Sequence, residues 1–481
     1  MIGVVPRALG PSNYGTFSFL TFFFARIIQF MKLGTTSAFF TKLSARQRES
    51  TLLGFYFIIL LAISALILLF IIFLMLFDLT EIFIPGQLPK FIYLAAGFSL
   101  LSLISNIVSR TNDALGLTIS NEIVYITQGF LLTGLILVHD QLGWLNLNSY
   151  FLIHYLMQLY LIVFGVSIIV LSGKLHLGEM FHLTREKMVS YSKEFFTYSH
   201  PLFLNSMIVM IVEIADRWLL QKYGGSIQQG YYGLSLKIVT ICFLFTSSLT
   251  PLFVRELSIS HENNDYRRMR RLFNRNIPLF FFIASYFSIF ISSNAESILV
   301  VFGGETYAHA TSAVIVLAFY PMHQTYGQLS GAVFLATGRT SYLRNIGIST
   351  GILGLIAAIF LITPIGGMGL ELGALGLAIK IVVIQFIAVN IQLWLNCRTL
   401  ELSFRKYLSH QIIVPGTLVI LAYISSTTIS GRFENMILEF LLNGVFYTFL
   451  VAVILISYPR MVAMSRTDLF TQLASIRNRK I

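Results

Sequence analysis

Arg26, Glu213, Asp216, Arg217, Lys237 and Lys380 all fall inside long apolar stretches of the sequence. A charged side chain at the centre of a membrane helix costs about 2.5 to 3.5 kcal/mol on insertion scales, so each must face protein or water. Glu213, Asp216 and Arg217 recur at helical spacing, which puts them on one face and lets Glu213 and Arg217 pair along the axis. One reading is a salt bridge at the outer interface. The other is a cavity site that binds an anion or couples to protons. Lys237 and Lys380 lie about seven or eight residues into their stretches, roughly a third of the way through a 30 Å hydrocarbon core. Snorkelling covers only part of that depth. Arg26 lies about two turns from the helix end marked by Lys32, so its head could reach either the interface or a cavity. The cations outnumber the carboxylates, and a net positive interior draws an anionic ligand into a low-dielectric cavity.

Uncharged polar groups form a second set. Pro321 interrupts an apolar stretch beside His323, Gln324 and Gln328, so that helix is expected to bend and present amides to the bundle interior. A moving, ligand-contacting helix and a static kink with satisfied amides both fit. Cys242 and Cys397 stand in or beside apolar runs and are too few for a disulfide framework or a thiolate metal site. The sequence has no phosphate-binding G-x-x-x-x-G-K-[ST] loop, no H-E-x-x-H and no G-x-S-x-G elbow. No cofactor, metal or catalytic residue is expected, and the chain reads as a non-enzyme.

The elements that must position these residues follow from composition. Of 481 residues, 56% are hydrophobic and 11% charged, whereas soluble domains run near 25% charged. The apolar runs have the length of membrane helices, not of alternating barrel strands. The fold class is therefore an all-α polytopic membrane protein with about thirteen transmembrane helices. They divide into a lobe over residues 1–198, a second over 199–397, and an extra helix pair with a basic tail over 398–481. Most of the 33 Lys and Arg fall in one set of alternate loops, and only Arg7, Lys90, Lys222 and Arg432 fall in the other. Basic residues mark cytoplasmic loops, which puts the C-terminus in the cytoplasm. An odd number of spans would then leave Met1 outside without an export signal, so a further helix upstream, fourteen in all, is expected.

Thr36 to Ser44 resembles Thr250 to Ser258, and each segment follows a span opened by a glycine, Gly15 or Gly230. Both leave the membrane on the basic side. That pattern predicts a parallel repeat: two six-helix lobes related by a pseudo-twofold along the membrane normal, with a site between them. Gly347, Gly351 and Gly354 have helix-contact spacing. Arg267, Arg268, Arg270, Arg271 and Arg275 form a dense basic loop that topology alone accounts for, although anionic headgroups or a diphosphate would also suit it. The charge is spread over loops, so nucleic acid is not an expected partner.

Arg7-x-Leu9-Gly10-Pro11-x-x-Tyr14-Gly15, followed by Leu33-Gly34-x-x-x-Ala38, resembles the opening of polysaccharide and O-antigen flippases of the multidrug/oligosaccharidyl-lipid/polysaccharide superfamily. Ala215-Asp216-Arg217-Trp218, Gly230-Tyr231, Pro251 with Arg255-Glu256, and Ala336-Thr337-Gly338-Arg339 resemble later parts of the same pattern. The resemblance spans nearly the whole chain, with short motifs whose order carries the specificity. It implies a flippase of the bacterial inner membrane that moves an undecaprenyl-diphosphate-linked oligosaccharide from the cytoplasmic to the periplasmic leaflet, in lipopolysaccharide or other polysaccharide biosynthesis. Membrane lipids, a polysaccharide polymerase and chain-length proteins would be its partners. Arg26, Arg217, Lys237 and Lys380 would attract the diphosphate, though the motif itself carries only Asp216 and Arg217. A multidrug/cation antiporter of the same superfamily is the alternative, and a membrane-embedded polymerase or acyltransferase a more distant one.

Overall fold

A computed structural model describes residues 3–32, 34–47, 49–175, 177–364, 369–433 and 435–462. Leu33 and Arg48, the glycines at 366 and 367, and the basic tail from residue 463 onward lie outside them. The described residues fold entirely into helices and connecting turns, and divide into two compact units, Met1–Gly230 and Tyr231–Ile481.

The first unit begins with α1 (Val5–Met31), α2 (Thr35–Ala45), α3 (Ser50–Leu76) and the short α4 (Thr80–Phe83). It continues with α5 (Pro89–Ala114), α6 (Thr118–Gln141), α7 (Leu147–Ser172) and most of α8 (Arg185–Thr240). Two of these helices break in the same way. Gly10 (φ 70°, ψ 170°) interrupts α1 and Gly225 (φ 68°, ψ −175°) interrupts α8. A side chain at either position would be strained, which is why glycine stands there. The start of α7 is fixed by a capping box: Asn146 Oδ1 accepts from the Asn148 and Ser149 amides at 3.0 and 3.1 Å, and Ser149 Oγ accepts from the Asn146 amide at 2.9 Å. The core is aromatic and aliphatic, with Phe19, Phe24, Phe39, Tyr56, Ile67 and Phe151 fully buried. Tyr56 stacks on Phe39 at 4.3 Å while its hydroxyl meets Thr36 Oγ1 at 2.9 Å, so the one polar atom of a buried ring is satisfied.

The second unit holds α9 (Leu244–Glu262), α10 (Tyr266–Ser293), α11 (Ala295–Gly303), α12 (Thr311–Leu317), α13 (Phe319–Ala336), α14 (Thr340–Ile362), α15 (Gly373–Thr399), α16 (Phe404–Ile429) and α17 (Met436–Ser457). α13 packs against α9, α10 and α15, and α14 covers α15 on another side. Between apolar helices in lipid, close packing and interhelical hydrogen bonds replace the hydrophobic effect as the cohesive force. The C-terminal pair shows both: Tyr447 stacks on Tyr286, and Asn443 Nδ2 donates to Asn294 Oδ1 at 2.7 Å.

Among the described residues nine helices are long and apolar enough to cross a membrane, and up to eleven if each bent pair counts as one span. About thirteen were expected from the apolar windows. The difference arises where breaks fall: the windows at 201–222 and 230–250 both run into α8, and the window from Ala310 is divided into α12 and α13 at Ala318. That division comes one turn before Pro321, whose missing N–H removes the hydrogen bond to the carbonyl of Leu317.

Candidate functional site

Ser18, Phe22 and Arg26 stand one turn apart along α1, and Glu213 and Arg217 stand one turn apart along α8. The structure joins these two stripes in antiparallel register. Arg26 Nε meets Glu213 Oε2 at 3.0 Å, and Arg217 Nη2 donates to Ser18 Oγ at 3.0 Å. Phe22 lies between Ser18 and Arg26 in sequence, and its ring centroid is 5.0 Å from the Arg26 guanidinium carbon and 5.1 Å from that of Arg217. Cations at that range are held by the ring quadrupole, more firmly where water is excluded.

The two arginines differ in setting. Arg217 is buried, 7% exposed, and donates through Nη1 to Gln229 Oε1 at 2.7 Å while Gln229 Nε2 donates back to the Arg217 carbonyl at 2.5 Å. Gln229 is itself fully buried, so this side chain is fixed in one orientation. Arg26 is half-buried, donates to Gln29 Oε1 at 2.7 Å, and shares its charge with a Glu213 carboxylate that is also half-buried. An anion arriving at Arg26 must therefore compete with Glu213, while Ser18 and Gln229 orient the Arg217 guanidinium. Asp216 is buried beside Arg217. The sequence suggested a pairing of Glu213 with Arg217 along one helix; the structure carries Glu213 across to α1 and Arg26.

Lys237 and Lys380 belong to the second unit. Lys237 is exposed in the last turn of α8. Lys380 is 5% exposed on α15, and its chain runs over Gly354 of α14. A Cβ at Gly354 would lie 2.8 Å from Lys380 Cε, so the glycine makes the groove that holds the lysine stem. Gly347 faces open space.

The amide set is also in this unit. His323 is 7% exposed, edge-on to the Phe386 ring at 5.1 Å. Gln324 Oε1 accepts from Gln385 Nε2 across the α13–α15 seam. Gln328 Oε1 is buried without a hydrogen-bond partner among the described residues, as is Gln392 Oε1 on α15. Pro321 itself is buried at the start of α13. The glutamines of α15, Ser18, Phe22 and Gln229 were not singled out by sequence reasoning, and Gly354 was read only as a helix-packing glycine. Ser18 and Phe22 were within its reach, because they continue the helical spacing that leads to Arg26. Among the described residues no group of three His, Cys, Asp or Glu side chains is placed to hold a metal ion.

This helical, multi-pass architecture is that of a known class of membrane transport proteins. Over 94% of this chain and 96% of the other, the structure is similar to the lipid II flippase MurJ in an inward closed conformation, with a TM-score of 0.68 and 13% identity. It is similar to an inward-facing multidrug resistance MATE family transporter of the MOP superfamily over 83% of this chain and 92% of the other, with a TM-score of 0.65 and 16% identity. A third similar structure is a MOP superfamily transporter from Pyrococcus furiosus, described by the reverse polarity of its binding pocket and a suggested different function; it has a TM-score of 0.50 and 16% identity over 84% of this chain and 92% of the other. No protein-family model matches the chain, and no curated protein matches its sequence. The chain thus has the fold shared by MurJ and the MATE transporters.

Proposed function

We propose that the protein is a flippase for a polyprenyl-diphosphate-linked oligosaccharide, carrying it from the cytoplasmic to the periplasmic leaflet of a bacterial inner membrane by alternating access. The observation that carries this reading is the arginine pair about Phe22, with Arg217 buried and aimed by Ser18 and Gln229. A fixed, desolvated guanidinium is the group of choice for phosphate oxygens, because its planar donors match them two at a time. Lys237 and Lys380 add cations in the other unit. His323, Gln324 and Gln328, with Pro321 at the head of their helix, supply uncharged donors and acceptors suited to sugar hydroxyls.

Glu213 gives the cycle a switch. While its carboxylate holds Arg26, that guanidinium is occupied; a substrate diphosphate, or protonation of Glu213, releases it. Asp216, one turn further on and buried, is the second candidate for coupling. Likeness to MurJ over nearly the whole chain supports a lipid-linked substrate, and undecaprenyl diphosphate bearing an O-antigen or other repeat unit is the form proposed. A polysaccharide polymerase and chain-length proteins would act on the exported product.

The MATE likeness keeps a multidrug antiporter as the second reading. A pocket for cationic drugs would favour acidic walls, whereas Arg26, Arg217, Lys237 and Lys380 within the apolar stretches outnumber Glu213 and Asp216, which favours an anionic cargo. The deciding experiment removes the gene from its host and locates accumulated lipid-linked oligosaccharide with a sugar-modifying enzyme confined to the periplasm. Accumulation on the cytoplasmic leaflet supports translocation. Accumulation on the periplasmic leaflet sinks the flippase reading in favour of a later step, and no accumulation favours the drug exporter.

A further inference from the structure

The basic head of α10 is not a random cluster. Asp265 caps the helix through the Arg268 amide at 2.8 Å, and Met269, Phe273 and Ile277, one turn apart, are fully buried and pin one face into the core of the second unit. Arg268 is paired with Glu256 at 2.6 Å and Arg270 with Glu401. Arg267, Arg271 and Arg275 remain. They are exposed, stand one turn apart on the opposite face, and pair with no carboxylate among the described residues. At 1.5 Å per residue the guanidinium stems are spaced about 6 Å apart. Arg275 lies just before the apolar part of the same helix, which begins at Ile277. The neighbouring α16 is held here by Tyr407, whose hydroxyl donates to Asn274 Oδ1 at 2.6 Å.

Retention of basic residues in a cytoplasmic loop requires charge but not spacing. Here the fold neutralises the two off-register arginines and leaves a ladder of three in register at the level where a membrane helix meets headgroups. We propose that Arg267, Arg271 and Arg275 form a docking ladder for the phosphates of anionic phospholipid headgroups, independent of the transported substrate. The ladder lies on the outward face of α10, where bulk phospholipid is by far the most abundant phosphate-bearing ligand.

The test reconstitutes the full chain in nanodiscs of equal phosphatidylglycerol and phosphatidylcholine, releases it into detergent, and counts retained lipids by native mass spectrometry. Each arginine near an anionic surface contributes a several-fold preference, so wild type should retain phosphatidylglycerol roughly tenfold or more over phosphatidylcholine. R267Q/R271Q/R275Q should lose that preference, and R267K/R271K/R275K, which keeps the charge, should retain most of it; an unchanged melting temperature shows that each variant is folded. Equal retention by wild type and the glutamine variant overturns the proposal. So does displacement of phosphatidylglycerol by an equimolar polyprenyl diphosphate, which would assign the ladder to the substrate lipid. Displacement by inorganic pyrophosphate alone would likewise overturn a lipid site.

Discussion

Gly15 and Gly230 occupy reciprocal positions in one contact. A Cβ at Gly15 would fall 1.7 Å from the Ser226 carbonyl oxygen, and a Cβ at Gly230 would fall 2.1 Å from the Pro11 carbonyl oxygen. Pro11 precedes Gly15 by one turn, as Ser226 precedes Gly230. Each glycine therefore meets the backbone where its counterpart's helix begins, the exchange that a local two-fold produces. Thr16 Oγ1 and Gln87 Nε2 both reach Ser226 Oγ, at 3.2 and 2.9 Å, and close the seam with hydrogen bonds.

Backbone cannot retreat from a new methyl as a flexible side chain can. Gly15→Ala and Gly230→Ala are each expected to destabilise the protein by about 1 to 3 kcal/mol, the ordinary cost of overpacking. Because the two positions share one seam, the double variant should cost less than the sum. Thermal unfolding in detergent measures all three. Wild-type melting of either single variant would mean that the close approach is not maintained in solution.

Arg217 should tolerate no conservative exchange. Arg217→Lys keeps the charge but cannot reach Ser18, Gln229 and the Phe22 ring together. The loss of buried, charge-assisted hydrogen bonds is expected to cost about 1.5 to 3 kcal/mol and to abolish export of lipid-linked oligosaccharide. Export at the wild-type rate by Arg217→Lys, at equal protein level, would remove Arg217 from the proposed substrate site.

The Arg26–Glu213 pair is predicted to matter more for transport than for stability. Both side chains are partly exposed, so a double-mutant cycle on melting should return about 0.2 to 1 kcal/mol. Glu213→Gln should instead alter the pH dependence of export, since it removes the carboxylate that competes for Arg26. An unaltered profile would exclude Glu213 from coupling.

Lys380→Met removes a buried ammonium while keeping an unbranched chain of similar length. Export should fall if the ammonium serves the substrate. Gly354→Leu, which fills the groove under the lysine, should reduce export in the same way while leaving the charge in the chain.

A charge network outside the spans sets a pH limit. The Arg46 guanidinium, donating to Glu194 at 2.7 Å, holds that carboxyl below its ordinary range, with Lys42 at 3.8 Å assisting. A depressed carboxyl pKa stabilises the fold above about pH 4.5, the ordinary value, and that contribution disappears as pH falls through the folded value. Melting temperature should therefore drop below this range in wild type and drop less in Glu194→Gln. At the alkaline end, burial and the neighbouring Glu49 carboxylate push Tyr191 up to about 12, so this hydroxyl stays protonated and bonded to Glu49 well past the ordinary tyrosine range.

What the sequence determined by itself follows from cost. Apolar runs of membrane length and few charges demand helices, because no other open structure satisfies its backbone in lipid. The same cost marks Arg26, Arg217 and Lys380 as residues needing a reason, and the recurring Gly15 and Gly230 contexts point to a repeat. Partnership was decided only by tertiary structure. Along one helix Glu213 is a turn from Arg217, and nothing local indicates that Arg26, nearly two hundred residues earlier in the chain, lies 3.0 Å away instead. The same holds for Gly354, whose spacing speaks of helix contact but whose role is to seat the stem of Lys380. Helical period fixes which residues share a face; which face meets which is set by packing between segments distant in the chain, and that information is not periodic.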